Sequence, residues 1–163
     1  MSEAFDDYVV ARGQALLRLA WLLTRDEHLA QDVVQEVLAK ASTRWSKIER
    51  AGSPDAYVRK MVVNELLSWR RRRHEVPSER IADRPAAGTH AGDPAGALAD
   101  RDEVLGLLAT LPPQQRAVLV LRYYEGLDDD AIASIVGCAS ATVRAHASKA
   151  LARLRATRQK EPR

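Results

Sequence analysis

From residue 4 to about residue 23 the apolar positions Leu16, Leu19, Ala20 and Leu23 fall at i, i+3, i+4 and i+7, which predicts a helix with one buried stripe. The polar "TRDEH" interrupts it, and there Thr24 or Asp26 can cap a second helix whose first acids suit a positive helix end. Ala30, Val33, Val34, Val37, Leu38 and Ala41 keep the period to about Ser42. "RWSKIERAG" fits a loop or a short helix. In "SPDAY" Ser53 can cap and Pro54 suits a first helical position, so a third long helix runs through Val58, Met61, Val62, Leu66 and Trp69.

The period lapses from Glu75 to about Asp100, where "EVPSERIADRPAAGTHAGDPAGALAD" is rich in Pro, Gly, Ala and Asp and reads as a flexible linker. It returns at about Arg101, stops at Pro112 and Pro113, resumes in "QQRAVLVLRYYEG" and turns at Gly126. Two shorter helices, "DDDAIASIVG" and "SATVRAHASKALARLR", close the chain. No alternating strand pattern competes, so the expectation is an all-α fold: two small helical domains, 1–74 and 101–163, joined by a flexible acidic linker at 75–100.

At 163 residues, 46% hydrophobic and 29% charged, the composition is that of a soluble globular protein. The formal charge of +3 matters less than its distribution. Residues 57–74 carry six Lys/Arg against one Glu, residues 140–163 seven against one, and residues 75–103 three Arg against seven Asp/Glu. Two basic islands flank an acidic spacer, an arrangement suited to holding a polyanion at two places. The opening "MSEAFDDYVV" is acidic, and no apolar run approaches the roughly 20 residues that span a bilayer, so a cytoplasmic location without membrane insertion is expected. Cys138 is the single cysteine and reads as a small buried hydrophobe, while His28, His74, His90 and His146 lack metal-ligand spacing. No catalytic constellation, metal site or cofactor follows from the sequence, which points away from an enzyme.

The last two predicted helices, turning at "GCA" (137–139), form a helix-turn-helix pattern. Ile132, Ile135, Val136, Val143, Ala147, Ala150 and Leu151 supply a stripe that packs them together and against residues 119–123. Thr142, Arg144, Ala145, Ser148 and Lys149 are then outward near the start of the second helix, where a recognition helix meets base edges in a major groove. Arginine can bond guanine bidentately, whereas Lys149, Arg153 and Arg155 suit phosphates. A solvated basic face on a helical bundle is the alternative, and the glycine turn with its two-helix apolar match counts against it. Capping and the helix dipole explain Asp128, Asp129 and Asp130 more simply than a metal does.

In the third helix Lys60, Asn64, Ser68 and Arg71 form a polar stripe opposite the core, leading into the arginine run 70–73. Trp45, Tyr57 and Trp69 suit either core packing or stacking on exposed bases. In the second helix Asp32, Gln35, Glu36 and Lys40 form an outward stripe that, taken alone, is an ordinary solvated face.

In order along the chain, "DVVQEVLAKA", "AYVRKMVVNELLSWRRRR", the acidic spacer, "LPPQQRAVLVLRYYEGL" and the terminal helix-turn-helix resemble a bacterial RNA polymerase sigma factor of the extracytoplasmic-function group, nearest the actinobacterial SigE-type subgroup. The resemblance spans nearly the whole chain and implies a non-enzymatic initiation factor. It implies core RNA polymerase and promoter DNA as partners, and an anti-sigma factor is a further partner in many members. Asp32, Gln35 and Glu36 fall on the motif that contacts the clamp of the largest polymerase subunit. Lys60 and Asn64 fall on positions facing the −10 element, with Ser68 and Arg71 on the same stripe, and residues 49–53 on the segment that captures a flipped base. Arg144, Ala145, Ser148 and Lys149 fall on recognition-helix positions for the −35 element. The chain departs from the family where a Ser or Thr followed by Glu usually opens the first motif helix: here Asp128 and Ala131 stand, which halves the capping box. Ala139 and Ala141 replace the usual Ser and Gly before the recognition helix, leaving Ser140 as the candidate cap. The rival reading is a free-standing helix-turn-helix regulator with an N-terminal effector or dimerisation domain. It predicts tight operator binding by a dimer without polymerase.

Overall fold

The computed structural model describes residues 2–75 and 95–160, whose regular structure is entirely helical and falls into two compact units, one from each segment. Most of the expected linker, residues 76–94, lies outside the described residues, as does His90.

The first unit comprises α1 (Glu3–Thr24), α2 (Glu27–Thr43), the short α3 (Trp45–Arg50) and α4 (Pro54–Glu75). Its core is largely the periodic stripe expected from sequence: Leu16, Leu19, Ala20 and Leu23 from α1, Ala30, Val33, Val34, Val37 and Ala41 from α2, and Val58, Val62 and Leu66 from α4, whereas Leu38, Met61 and Trp69 are only half-buried and Val63, outside the expected stripe, is buried. At the end of α1 Arg25 takes the left-handed conformation (φ 57°), its N–H closes on the Trp21 carbonyl at 2.7 Å, and its guanidinium lies 4.6 Å from the centre of the Trp21 ring. Asp26 rather than Thr24 caps α2, accepting from the Leu29 N–H at 3.0 Å, while the buried Thr24 hydroxyl donates back to the Ala20 carbonyl at 2.8 Å. The "WSKIER" stretch resolves as a helix, which buries Trp45 and Ile48 against the core.

The second unit holds α5 (Ala95–Ala109), α6 (Pro113–Leu119), a π-helical turn (Val120–Tyr124), α7 (Asp129–Val136) and α8 (Ser140–Lys160). Helix α5 begins six residues before the expected start at Arg101. Ala95, Ala97, Leu98 and Ala99 are strong helix formers, and the lone Gly96, at about 1 kcal/mol, does not offset them. The chain then reverses at Pro112 and re-enters a helix at Pro113.

Residues Arg116, Ala117, Val118, Leu119, Val120 and Leu121 are all buried, so α6 is the central rod of the unit. The π turn follows, with the Glu125 N–H bonded to the Val120 carbonyl at 3.1 Å. At the end of the turn Tyr123 is 65% and Tyr124 49% exposed. The core expected from residues 119–123 therefore ends at Leu121. Gly126 (φ 69°) turns the chain into α7, and Gly137 (φ 80°) ends α7 in the left-handed state that glycine adopts most readily. Ile132, Ile135, Val143, Ala147 and Ala150 are buried between α6, α7 and α8, with Val136 and Leu151 half-buried at the margin.

Candidate nucleic-acid interface

Each helix that carries a candidate contact buries one face and leaves the other outward. On α2, Asp32, Gln35 and Glu36 are exposed while Val33, Val34 and Val37 are buried. Lys40 salt-bridges Glu36 at 2.8 Å and reaches Glu65 of α4 at 3.6 Å, and Arg72 approaches Glu65 at 3.3 Å. The hydrogen bond and charge of Lys40 lower the Glu36 pKa below the ordinary carboxylate value. The outward stripe of α2 is thus tied by side chains to α4.

On α4, Lys60, Asn64 and Arg71 are exposed opposite Val58, Val62 and Leu66, whereas Ser68 is half-buried at the edge of that face. The side chains of Arg70 and Arg73 lie outside the described residues. Trp45, offered by sequence as either a core or a stacking residue, is core: its ring meets Phe5 edge-on at 5.3 Å and Tyr8 at 5.1 Å. Tyr57 and Trp69 are half-buried. Residues 49–53 are exposed throughout; Glu49 and Arg50 close α3, so the loop itself is residues 51–53, with Gly52 at φ 97°.

Just beyond that loop lies a cluster the sequence did not reveal. Asp55 receives Arg12 Nε at 2.9 Å and Nη2 at 3.1 Å, Arg59 Nη2 at 2.8 Å and the Tyr8 hydroxyl at 3.2 Å. Burial works to raise the Asp55 pKa, but the Arg12 hydrogen bonds and the charges of Arg12 and Arg59 outweigh it and hold the carboxyl below its ordinary value. Burial, and then the neighbouring carboxylate, push the Tyr8 phenol upward. The bidentate fork from α1 fixes the first turn of α4, and so the exit of the loop at residues 51–53. Its only sequence signal was an acid in the first turn of a helix, a position that acids commonly take.

In the second unit Thr142, Arg144, Ala145, Ser148, Lys149, Arg153 and Arg155 are all exposed along α8. Asp128 caps α7 by accepting from the Ala131 N–H at 2.8 Å, so the half capping box still functions. Ser140 does not cap α8. The first helical bond runs from the Val143 N–H to the Ala139 carbonyl at 3.1 Å, and the Ser140 hydroxyl, one residue inside, donates to the Asp130 carboxylate. Asp129 bonds Arg122 and lies 3.7 Å from Arg144. Each acid of the "DDD" triplet therefore has a structural partner.

Arg116, 5% exposed, also went unnoticed in the sequence. Its guanidinium donates to the carbonyls of Leu108 (2.9 Å), Ala109 (2.8 Å) and Leu111 (3.2 Å), satisfying acceptors at the end of α5 and in the turn after it. The signal for it was one charge at the head of an apolar run, "RAVLVL".

Two helical units, the second closing in a helix-turn-helix with a basic outer face, define a modular DNA-recognition protein. Residues 9–75 match the model for sigma-70 region 2 and residues 101–154 that for sigma-70 region 4. The RNA polymerase sigma-E factor of Streptomyces coelicolor is 38% identical over 153 residues, covering 93% of this chain and 84% of that protein. The factor SigL of Mycobacterium tuberculosis, of the extracytoplasmic-function group, is 34% identical over 149 residues, covering 88% and 82%. The sigma factor RpoE of Bartonella quintana, solved in complex with the anti-sigma factor NepR, superposes with a TM-score of 0.73 at 25% identity, over 99% of this chain and 100% of that one. The chain belongs to the RNA polymerase sigma factors, in the extracytoplasmic-function group and of the SigE type. It is a transcription initiation factor, a DNA-recognition subunit rather than an enzyme, and the free-standing regulator is not favoured. Among the described residues no helix is long and apolar enough to cross a membrane.

Proposed function

We propose that the chain acts in the cytoplasm by docking on core RNA polymerase through Asp32, Gln35 and Glu36, and by holding a promoter at two elements. In this reading residues 1–74 serve the polymerase and the −10 element, 75–100 are a tether, and 101–163 serve the −35 element. Lys60, Asn64, Ser68 and Arg71 face the melted −10 strand, with the segment 49–53 at the end of α3 receiving an unstacked base. Thr142, Arg144, Ala145, Ser148 and Lys149 read the −35 major groove, and Arg153 and Arg155 hold phosphates. The observation that supports this most is that, apart from Ser68 and the segment 49–53, every one of these residues is exposed on a helix whose opposite face is core. An anti-sigma factor is a further partner, a reading supported by the Bartonella quintana relative solved in such a complex.

The test is promoter binding by the full chain with and without core polymerase. Sequence-selective binding is expected only with polymerase present. Tight binding by a dimer alone, to half-sites a helical turn apart, would return the reading to a free-standing regulator.

A further inference from the structure

Asp129, in the first turn of α7, stands between two guanidiniums. Arg122, from the π turn, donates Nη2 to its Oδ1, and Arg144, from α8, brings Nη1 to 3.7 Å from its Oδ2. The side chains of Arg122 and Asp129 are 25% and 27% exposed and that of Arg144 is 60% exposed, so the first two are the fixed half and Arg144 the free end. Arg122 already balances the charge of Asp129, and the three groups together keep one net positive charge beside the outer face of α8. At 3.7 Å the contact with Arg144 is an ion pair longer than a hydrogen bond, so it restricts where the guanidinium sits while leaving its donors available.

We infer that Asp129 is a positioning residue for base readout by Arg144: anchored by Arg122, it holds the Arg144 guanidinium over the start of α8 in the pose from which a bidentate contact to a base edge is made. The inference rests on the reading of Arg144 as a base-edge contact. An exposed arginine otherwise samples many rotamers, most directed at phosphates, and ordering it in advance favours the one contact that carries sequence information. The same carboxylate repels the DNA backbone and competes for the guanidinium. Its removal therefore has two effects of opposite sign: sequence-independent binding strengthens, and discrimination weakens. Damage to the α7–α8 corner would instead weaken both.

The experiment uses the full chain assembled with core polymerase on promoters randomised in the −35 element, at several salt concentrations, for wild type, Asp129→Asn, Asp129→Ser, Arg144→Ala and Asp129→Asn with Arg144→Ala. A bidentate arginine–base pair is worth about 5- to 150-fold in discrimination, and loss of its positioning is expected to forfeit about 3- to 10-fold of that at the base pair Arg144→Ala relaxes. Binding to non-cognate sequence should rise, with a steeper salt dependence. In sequence preference the double variant should match Arg144→Ala alone, while its non-cognate binding still rises, and Asp129→Glu, added as a fifth variant that keeps the charge, should recover most of the preference. Wild-type preference in both Asp129→Asn and Asp129→Ser, with Arg144→Ala relaxed, would overturn the inference and leave the reading of Arg144 standing. Further relaxation in the double variant would overturn it too, since Asp129 would then act other than through Arg144. Unchanged preference in Arg144→Ala would remove the reading of Arg144 and this inference together.

Discussion

Replacing Arg116 with Met keeps the long apolar stem and deletes the guanidinium that donates to three carbonyls around the end of α5. A hydrogen bond from a charged donor is worth about 1.5–3 kcal/mol net, so three independent bonds would total about 4.5–9 kcal/mol. They share one cation whose burial itself costs several kcal/mol, which brings the expected loss to about 3–4 kcal/mol. A unit of this size, residues 95–160, has on the order of 3–10 kcal/mol of stability in all, so the substitution removes a third of it or more. Amide hydrogen exchange on the full chain resolves the two units: peptides from α5 to α8 should lose protection by about 150- to 1,000-fold, with α1 to α4 unchanged. Arg116→Lys keeps the charge but offers a compact ammonium instead of a planar fork, and should lose about half as much. Protection in α5 to α8 within threefold of wild type for Arg116→Met would refute the reasoning, because the three carbonyls would then be as well satisfied by water.

Asp32→Lys combined with Glu36→Lys should abolish core polymerase binding in a pull-down while helical circular dichroism stays intact. Lys60→Ala and Asn64→Ala should impair strand opening, read by permanganate footprinting, more than initial binding. Because the folded-state pKa of Asp55 lies below its unfolded value, its contribution is present above about pH 4 and lost as pH falls through the folded value. Asp55→Asn should therefore flatten the decline of first-unit stability below about pH 4, measured by acid titration of exchange protection. Gly137→Ala should cost about 1–2 kcal/mol of second-unit stability by urea denaturation, since a Cβ there meets no neighbouring atom within 4 Å and only the left-handed backbone (φ 80°) resists it.

The helices were legible because their apolar residues repeat with the period of the α-helix, and so were the caps at Asp26, Ser53 and Asp128, which act through backbone groups three residues on. The reach of local pattern ends where a feature depends on partners distant in sequence. Arg12 and Asp55 are 43 residues apart, and nothing near either one announces the fork between them. The π turn leaves no mark in "VLRYY", because an i to i+5 bond has no residue signature of its own, and Tyr123, expected to pack against the last two helices, is exposed. Ser140 looked like a cap because a hydroxyl at a helix start usually is one; the carboxylate of Asp130, ten residues earlier, claims it instead. The contact stripes show the other limit. Periodicity fixes that Asp32, Gln35 and Glu36 point away from the core, but an outward face has the same pattern whether water or a polymerase lies against it. The proposal that a polymerase lies there rests on the order of motifs along the chain. The relation of Asp129 to Arg144 goes one step further, since it is carried neither by periodicity nor by motif and emerges only when the π turn delivers Arg122 to the other side of the same carboxylate.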